Sequence, residues 1–346
     1  MQKTDQVVNS KNVNIFYYHV PKTAGTSINR FFTDTISNNI THAEGKDKDL
    51  TADFLNQFNF ASGHLSYTKI NPLLDNRWVS MITFREPFSY AVSHLCWIRK
   101  LVEQGEEVRF HNHPKVFQEI ATKMKSLDFS QSADIDKLVK WLISIDFNYL
   151  FNTQTLYLDI GKDITKALTH LYNIDYIGVM DDTPNFLKTM GAEFGFDSNQ
   201  KKVPQENIST NKYGFDLNNN NTRLALLPFI DKDIIIYEEA KRIATVQKRL
   251  YENPANTDII GYVDSKEGKY ITGWCRSVKS LRKVSLEFRI KKKVVAIAEA
   301  EHFRQGLKDK KIHPTGRCAF KVELDCKLDK VSVYVAGTDI VLHDIS

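Results

Sequence analysis

The sequence predicts an α/β fold, a central parallel sheet flanked by helices, followed by a C-terminal all-β sandwich. Three observations carry that expectation. Residues 13–18 are β-prone and pass through a tight turn into helix-compatible residues 27–32. Residues 78–84 form a second apolar, β-prone run, which leads through Arg85-Glu86-Pro87 into helical spacing at Phe88, Val92, Leu95 and Ile98. Beyond residue 255 the texture changes to short alternating runs separated by turns.

The turn after the first strand reads His19-Val20-Pro21-Lys22-Thr23-Ala24-Gly25-Thr26-Ser27. Strand, turn and helix start make an anion site, because successive backbone N–H groups and the positive end of a helix dipole converge on one point. Lys22 adds a full charge, Gly25 permits close backbone approach, and Thr23, Thr26 and Ser27 add hydroxyls. A nucleoside triphosphate loop carries its lysine after a Gly-x-x-x-x-Gly spacer, whereas Lys22 opens this turn and one glycine follows. The competing reading is an ordinary strand–helix connection with a capping Thr.

The second junction weighs against it. Pro87 suits the first helical turn, and Glu86 sits where a carboxylate favours the helix dipole. Arg85 at the strand's carboxyl end and Ser93 two turns into the helix reach a common ligand, and open α/β sheets bind ligands outside those strand ends. Taken alone, these residues fit an Arg–Glu surface pair and a solvated Ser better.

Together the two segments resemble the cofactor signature of sulfotransferases. Residues 21–27 are similar to the loop that binds the 5′-phosphosulfate of 3′-phosphoadenosine 5′-phosphosulfate (PAPS), and Arg85 with Ser93 to the clamp on its 3′-phosphate. The closest likeness is to the carbohydrate branch that includes heparan sulfate 2-O-sulfotransferases and bacterial relatives. Ala61-Ser62-Gly63-His64-Leu65 is similar to the Gly-His segment of that branch, and Asn152-Thr153-Gln154-Thr155 to an Asn-x-Gln-Thr run downstream.

The resemblance, over roughly residues 13–250, implies a P-loop-like sheet and transfer of a sulfuryl group from PAPS to a carbohydrate hydroxyl. It implies that Lys22 stabilises the leaving phosphate oxygen while Thr23, Ala24, Gly25, Thr26 and Ser27 cradle the 5′-phosphosulfate. His64 becomes the general base, in a Gly-flanked segment expected to be a flexible, ligand-facing loop. A loop within residues 197–221 would close over the adenosine end through Asn207, Ser209 and Lys212. The same stretch also reads as a polar, floppy loop. This chemistry requires no metal, and none is expected.

The other histidines read as structural. His19 ends the first strand, and His42 lies in a polar stretch without an evident partner. His111-Asn112-His113 has no Cys or acidic ligand at useful spacing for zinc. Residues 103–114 read as an exposed insertion near the acceptor groove. Further on, residues 175–179 read as a short core strand, a helix opens at Thr183-Pro184 and runs through Met190, and residues 234–251 are strongly helical. Asn253-Pro254-Ala255-Asn256 is a natural linker, so the expected domains are residues 1–253 and 258–346.

The tail resembles a small Gly-Trp β-sandwich module appended to bacterial sulfotransferases and glycosyltransferases, on Gly273-Trp274, Phe303-Arg304 and residues 316–320. From residue 255 it holds 18 Lys/Arg against 12 Asp/Glu, a net +6, while the whole chain is +5. The basic character therefore belongs to the tail, which suits an acidic polysaccharide or a membrane surface, and equally a plain solvated face. Lys291-Lys292-Lys293 reads as a hairpin tip without interleaved aromatics, which argues against nucleic acid.

Cys96, Cys275, Cys318 and Cys326 show no Cys-x-x-Cys spacing and read as reduced thiols. No apolar run approaches the ~20 residues of a spanning helix, and residues 1–5 lack a signal core; animal members of the branch this chain resembles carry a Golgi anchor, so the resemblance implies a bacterial cytoplasmic enzyme. Two rivals stay open: a non-catalytic glycan-binding protein that keeps the fold, and a P-loop nucleotide kinase.

Overall fold

The computed structural model describes residues 14–45, 50–75, 77–194, 213–252, 259–277, 283–338 and 340–344. The chain divides into two compact units, residues 1–171 with 177–241 and residues 172–176 with 242–346. The proposed linker at residues 253–256 lies outside the described residues.

The first unit is mixed α/β around a five-stranded parallel sheet flanked by helices. Its strands are β1 (Asn14–Tyr18), β2 (Asn39–Ile40), β3 (Phe60–Gly63), β4 (Trp78–Phe84) and β5 (Tyr176–Val179), in the order β2-β3-β1-β4-β5. All five residues of β1 and all seven of β4 are buried. Unbroken buried runs of this kind belong to strands covered on both faces, as parallel strands are. Tyr18 of β1 pairs with Gly63 of β3 on one side and Ile82 of β4 on the other, so three carboxyl ends finish at one edge of the sheet. The chain visits β2 and β3 on one side of β1, then β4 and β5 on the other. The resulting switch point, between β1 and β4, is where open α/β sheets leave a crevice.

Helix α1 (Gly25–Thr33) follows β1; the short α2 (Ala52–Leu55) and α3 (Tyr67–Ile70) flank β3. Helix α4 (Pro87–Lys100) follows β4, with Pro87 at its first position. Glu86 caps it, accepting from Phe88 N at 3.2 Å and Ser89 N at 2.7 Å. This is the end the dipole favours for a carboxylate. Residues 107–112, expected as an exposed insertion, form helix α5 (Glu107–Asn112), which buries no residue.

Helices α6 (Lys115–Lys125) and α7 (Ser132–Ser144) fill a stretch to which the sequence reading assigns no element. In α7, Ile135, Leu138, Val139 and Leu142 recur at three- and four-residue intervals and are buried, giving one apolar stripe. They join Leu95 of α4, Ile120 and Met124 of α6, and Leu226 of α11 (Asn220–Leu226, below) in one cluster. Each fully buried aliphatic side chain of this kind contributes about 1.5–3 kcal/mol. The remaining helices are α8 (Thr153–Leu158), α9 (Ile164–Asn173), α10 (Thr183–Phe194), the α11 just given, and α12 (Asp231–Glu252). Helix α10 runs on to Phe194, past Met190, the last residue to which the sequence reading carries it.

The second unit holds β6 (Ile259–Glu267), β7 (Tyr270–Ser277), β8 (Ser285–Ile290), β9 (Lys293–Glu299), β10 (His302–Phe303), α13 (Gln305–Asp309), β11 (Arg317–Glu323), β12 (Val331–Val335) and β13 (Val341–Asp344). The spacing of strands predicts two facing sheets. The structure instead joins all eight in one sheet, ordered β10-β11-β7-β6-β13-β12-β8-β9. That sheet curls on itself, so Phe288 of β8 and Phe320 of β11 meet edge to face at 5.8 Å although four strands lie between them. The physical reason is the parallel pairing of β13 with β6, which links the two halves and is invisible to local alternation. Lys291, with φ 56°, turns the β8–β9 hairpin where the sequence places its tip. Among the described residues no helix is long and apolar enough to cross a membrane.

Candidate functional site

The residues at the carboxyl ends of β1, β3 and β4 open onto a cavity of about 690 Å³ in the first unit. Lys22, Ala24, Gly25, Thr26, His64, Arg85 and Ser93 all line it. These predicted residues come from three separate stretches of sequence and share one space. Asn207, Ser209 and Lys212 lie outside the described residues.

The turn from β1 to α1 is bent twice into the left-handed region, at Lys22 (φ 66°) and Ala24 (φ 67°). Each such residue costs on the order of 1 kcal/mol or more, which the surrounding contacts must offset. Left-handed steps gather successive N–H groups into a concave nest suited to an anion. Helix α1 begins there, and Ala24 has no side chain to cap it. The first N–H groups of a helix lack intrahelical acceptors, so the start of α1, where Gly25 and Thr26 line the cavity, is a donor surface.

Two side chains in this turn serve the fold rather than a ligand. Thr23 is fully buried; its hydroxyl donates to Val20 O at 2.8 Å and lies 3.1 Å from Thr83 Oγ1. Thr83 in turn donates to Thr23 O at 3.1 Å and is 2.6 Å from the Tyr17 hydroxyl. The three hydroxyls tie the turn to β1 and β4. Ser27 is also buried, and neither Thr23 nor Ser27 is among the cavity's lining residues. Gly25 has a different use from the expected ligand approach. A Cβ there would stand 1.8 Å from His19 Nε2, so the missing side chain makes room for the His19 ring.

Arg85 closes the other side, donating from Nη1 to Lys22 O at 3.3 Å. Its backbone is held by Gln154: Arg85 N donates to Gln154 Oε1 at 2.8 Å, and Gln154 Nε2 donates to Arg85 O at 3.0 Å. Ser93, only 2 % exposed, faces the cavity from α4. Burial pushes the Lys22 ammonium below the ordinary lysine range, and the charges of Arg85, Arg109 and Lys100 push it further. Burial also lowers the Arg85 guanidinium, which Asp181 and Glu86 partly offset. Lys100 and Arg109 line the cavity as well and share Glu106, at 2.9 and 3.1 Å. Like charges crowded into a half-buried space favour occupation by a multiply charged anion.

His64 stands directly after β3, in the short connection to α3, and is anchored there. Its backbone N–H donates to Glu44 Oε2 at 2.9 Å, and its Nδ1 lies 2.7 Å from His19 O. His19 and His94 are buried, and burial pushes both imidazoles down to about 3; neighbouring His64 and His42 add to the effect on His19, and Lys22 and His64 to that on His94. His42, expected without a partner, pairs through Nδ1 with Glu44 Oε1 at 3.2 Å. His42, Glu44 and His64 also hold ligand-type atoms within 4.8 Å of one another, a group that could take a divalent ion.

Sequence reasoning missed His94, Lys100, Arg109 and the His42–Glu44 pair as parts of this site. For His94 a signal exists: it directly follows Ser93 in α4. No protein-family model matches this chain, and no curated protein matches it.

Proposed function

We propose that this chain is a sulfotransferase that moves a sulfuryl group from PAPS to a hydroxyl of a carbohydrate acceptor. One observation carries the reading: an anion-binding turn led by Lys22, the Arg85/Ser93 pair at the switch point and the His64 imidazole meet on one cavity. The turn suits the 5′-phosphosulfate, and Arg85 with Ser93 suits the 3′-phosphate. In the reaction, the acceptor oxygen attacks sulfur in line and the bond from sulfur to the 5′-phosphate oxygen breaks. The electron pair stays on that oxygen, beside Lys22 and the turn amides, and the acceptor proton passes to His64 Nε2. The products are a sulfate ester and adenosine 3′,5′-bisphosphate, and His64 returns its proton to solvent.

In this reading the first unit is P-loop-like, and the second, built on its one curled sheet, is an accessory module. The module's +6 charge suits an acidic polysaccharide or a membrane surface rather than nucleic acid. All four cysteines are free and three are buried, which fits a reducing cytoplasm.

Purified chain incubated with labelled PAPS and a panel of glycans tests the proposal, with label transfer as the expected result. Thermal shift adds a second arm. A ligand at a hundred times its Kd stabilises the native state by about 2.7 kcal/mol, and adenosine 3′,5′-bisphosphate should do so. Stabilisation by ATP with Mg²⁺ instead points to the kinase, and bisphosphate binding without transfer points to the non-catalytic alternative.

A further inference from the structure

Resting on that reading, we propose that Gln154 is a positioning residue whose carboxamide sets Arg85 for the donor's 3′-phosphate. Gln154 is fully buried, and both polar atoms of its side chain are spent on one residue, accepting from Arg85 N and donating to Arg85 O. The arrangement continues the hydrogen-bonding pattern of a strand past the end of β4, at the point where the ladder stops and the guanidinium begins its reach. A carboxamide carries a donor and an acceptor side by side, so this one side chain satisfies both the N–H and the C=O of a single residue.

The mount beneath Gln154 is rigid for an identifiable reason. Helices α8 and α12 cap each other. Asp233 of α12 accepts from Gln154 N at 3.2 Å and from Thr155 N and Oγ1, both at 2.7 Å. In return Asn152, left-handed at φ 52°, accepts from Lys232 N at 2.9 Å and Asp233 N at 3.2 Å. Asn152 Nδ2 also donates to Asp231 Oδ1 at 2.6 Å. The Asn-x-Gln-Thr run thus has a division of labour: Asn152 and Thr155 bolt the two helix starts together, and Gln154 projects from the joint to hold Arg85. A shift of about 1 Å in such a supporting residue is enough to degrade binding geometry.

The test compares two nucleotides by calorimetry on the full chain, adenosine 3′,5′-bisphosphate and adenosine 5′-monophosphate, which lacks the 3′-phosphate. Wild type should prefer the bisphosphate. Gln154→Met, of similar volume but without hydrogen-bonding groups, should cut that preference about tenfold, with the monophosphate affinity held within about twofold. Arg85→Ala should abolish the same preference, and adding Gln154→Met to it should change nothing more. If Gln154→Met fails to fold, Gln154→Asn keeps the carboxamide but withdraws it from Arg85 by one methylene, and should show the same selective loss. An unchanged preference, or equal loss of both nucleotides, overturns the positioning role. A wild-type chain with no preference overturns the parent reading as well, and does so before any variant is made.

Discussion

The Nδ1 atom of His64 lies 2.7 Å from the carbonyl oxygen of His19. A carbonyl can only accept, so Nδ1 carries the proton and the neutral ring presents its lone pair at Nε2. The backbone thereby selects the tautomer that a general base needs. Replacing the ring by His64→Ala should lower sulfuryl transfer by about 10²–10⁴-fold and leave bisphosphate binding within about twofold. Steady-state transfer and calorimetry measure the two effects, and equal loss of both would reduce His64 to a structural residue.

In the proposed reaction Lys22 stands beside the leaving oxygen, while its neighbours Arg85, Lys100 and Arg109 hold contacts of their own, with Lys22 O and with Glu106. Lys22→Ala should therefore slow transfer by about 10²–10³-fold, the range for losing one preorganised donor. Single-turnover assays at saturating donor give this directly. Turnover at the wild-type rate would remove Lys22 from the mechanism.

Gly25 and His19 are coupled through space. Because an added Cβ would sit 1.8 Å from His19 Nε2, Gly25→Ala should destabilise the chain by about 1–3 kcal/mol as a buried ring is forced aside. The double variant Gly25→Ala/His19→Ala should be less destabilised than the sum of its parts, because the second change removes the clash. Urea midpoints of the four-member cycle test this. Strict additivity would mean that the glycine is needed for another reason.

Acid should weaken the fold through its buried histidines. In the unfolded chain His94 takes up a proton near pH 6.5, whereas in the fold it stays neutral down to about 3. Its contribution to stability is complete above pH 6.5 and is lost as pH falls below it, by about 1.4 kcal/mol per pH unit. Relative to His94→Gln, which cannot titrate, wild type should lose stability at that rate between pH 6 and 4 in urea titrations. Parallel curves for the two proteins would show that His94 protonates normally within the fold.

Where local pattern and packing agree, the sequence was legible. Residues 78–84 form β4 with the predicted bounds, and Glu86-Pro87 starts α4 as capping chemistry requires. The sequence reading assigns no element to α6 and α7, although the buried stripe of α7 recurs at regular helical intervals. The His42–Glu44 pair was hidden for a physical reason: it forms in an irregular segment, where no period announces which side chains face each other.

The sequence by itself determined the strand–turn–helix junctions, the convergence of Lys22 and Arg85 at parallel strand ends, and the basic tail. Those features follow from local propensity and from the geometry of parallel sheets, both written in short windows. Only the tertiary structure decided which polar groups face the cavity and which support it. Thr23 turned inward to Val20 and Thr83, Gly25 gave its space to His19, and Gln154 became the mount for Arg85. Burial and hydrogen-bond satisfaction make that choice, and both depend on partners 3 to 79 positions away along the chain.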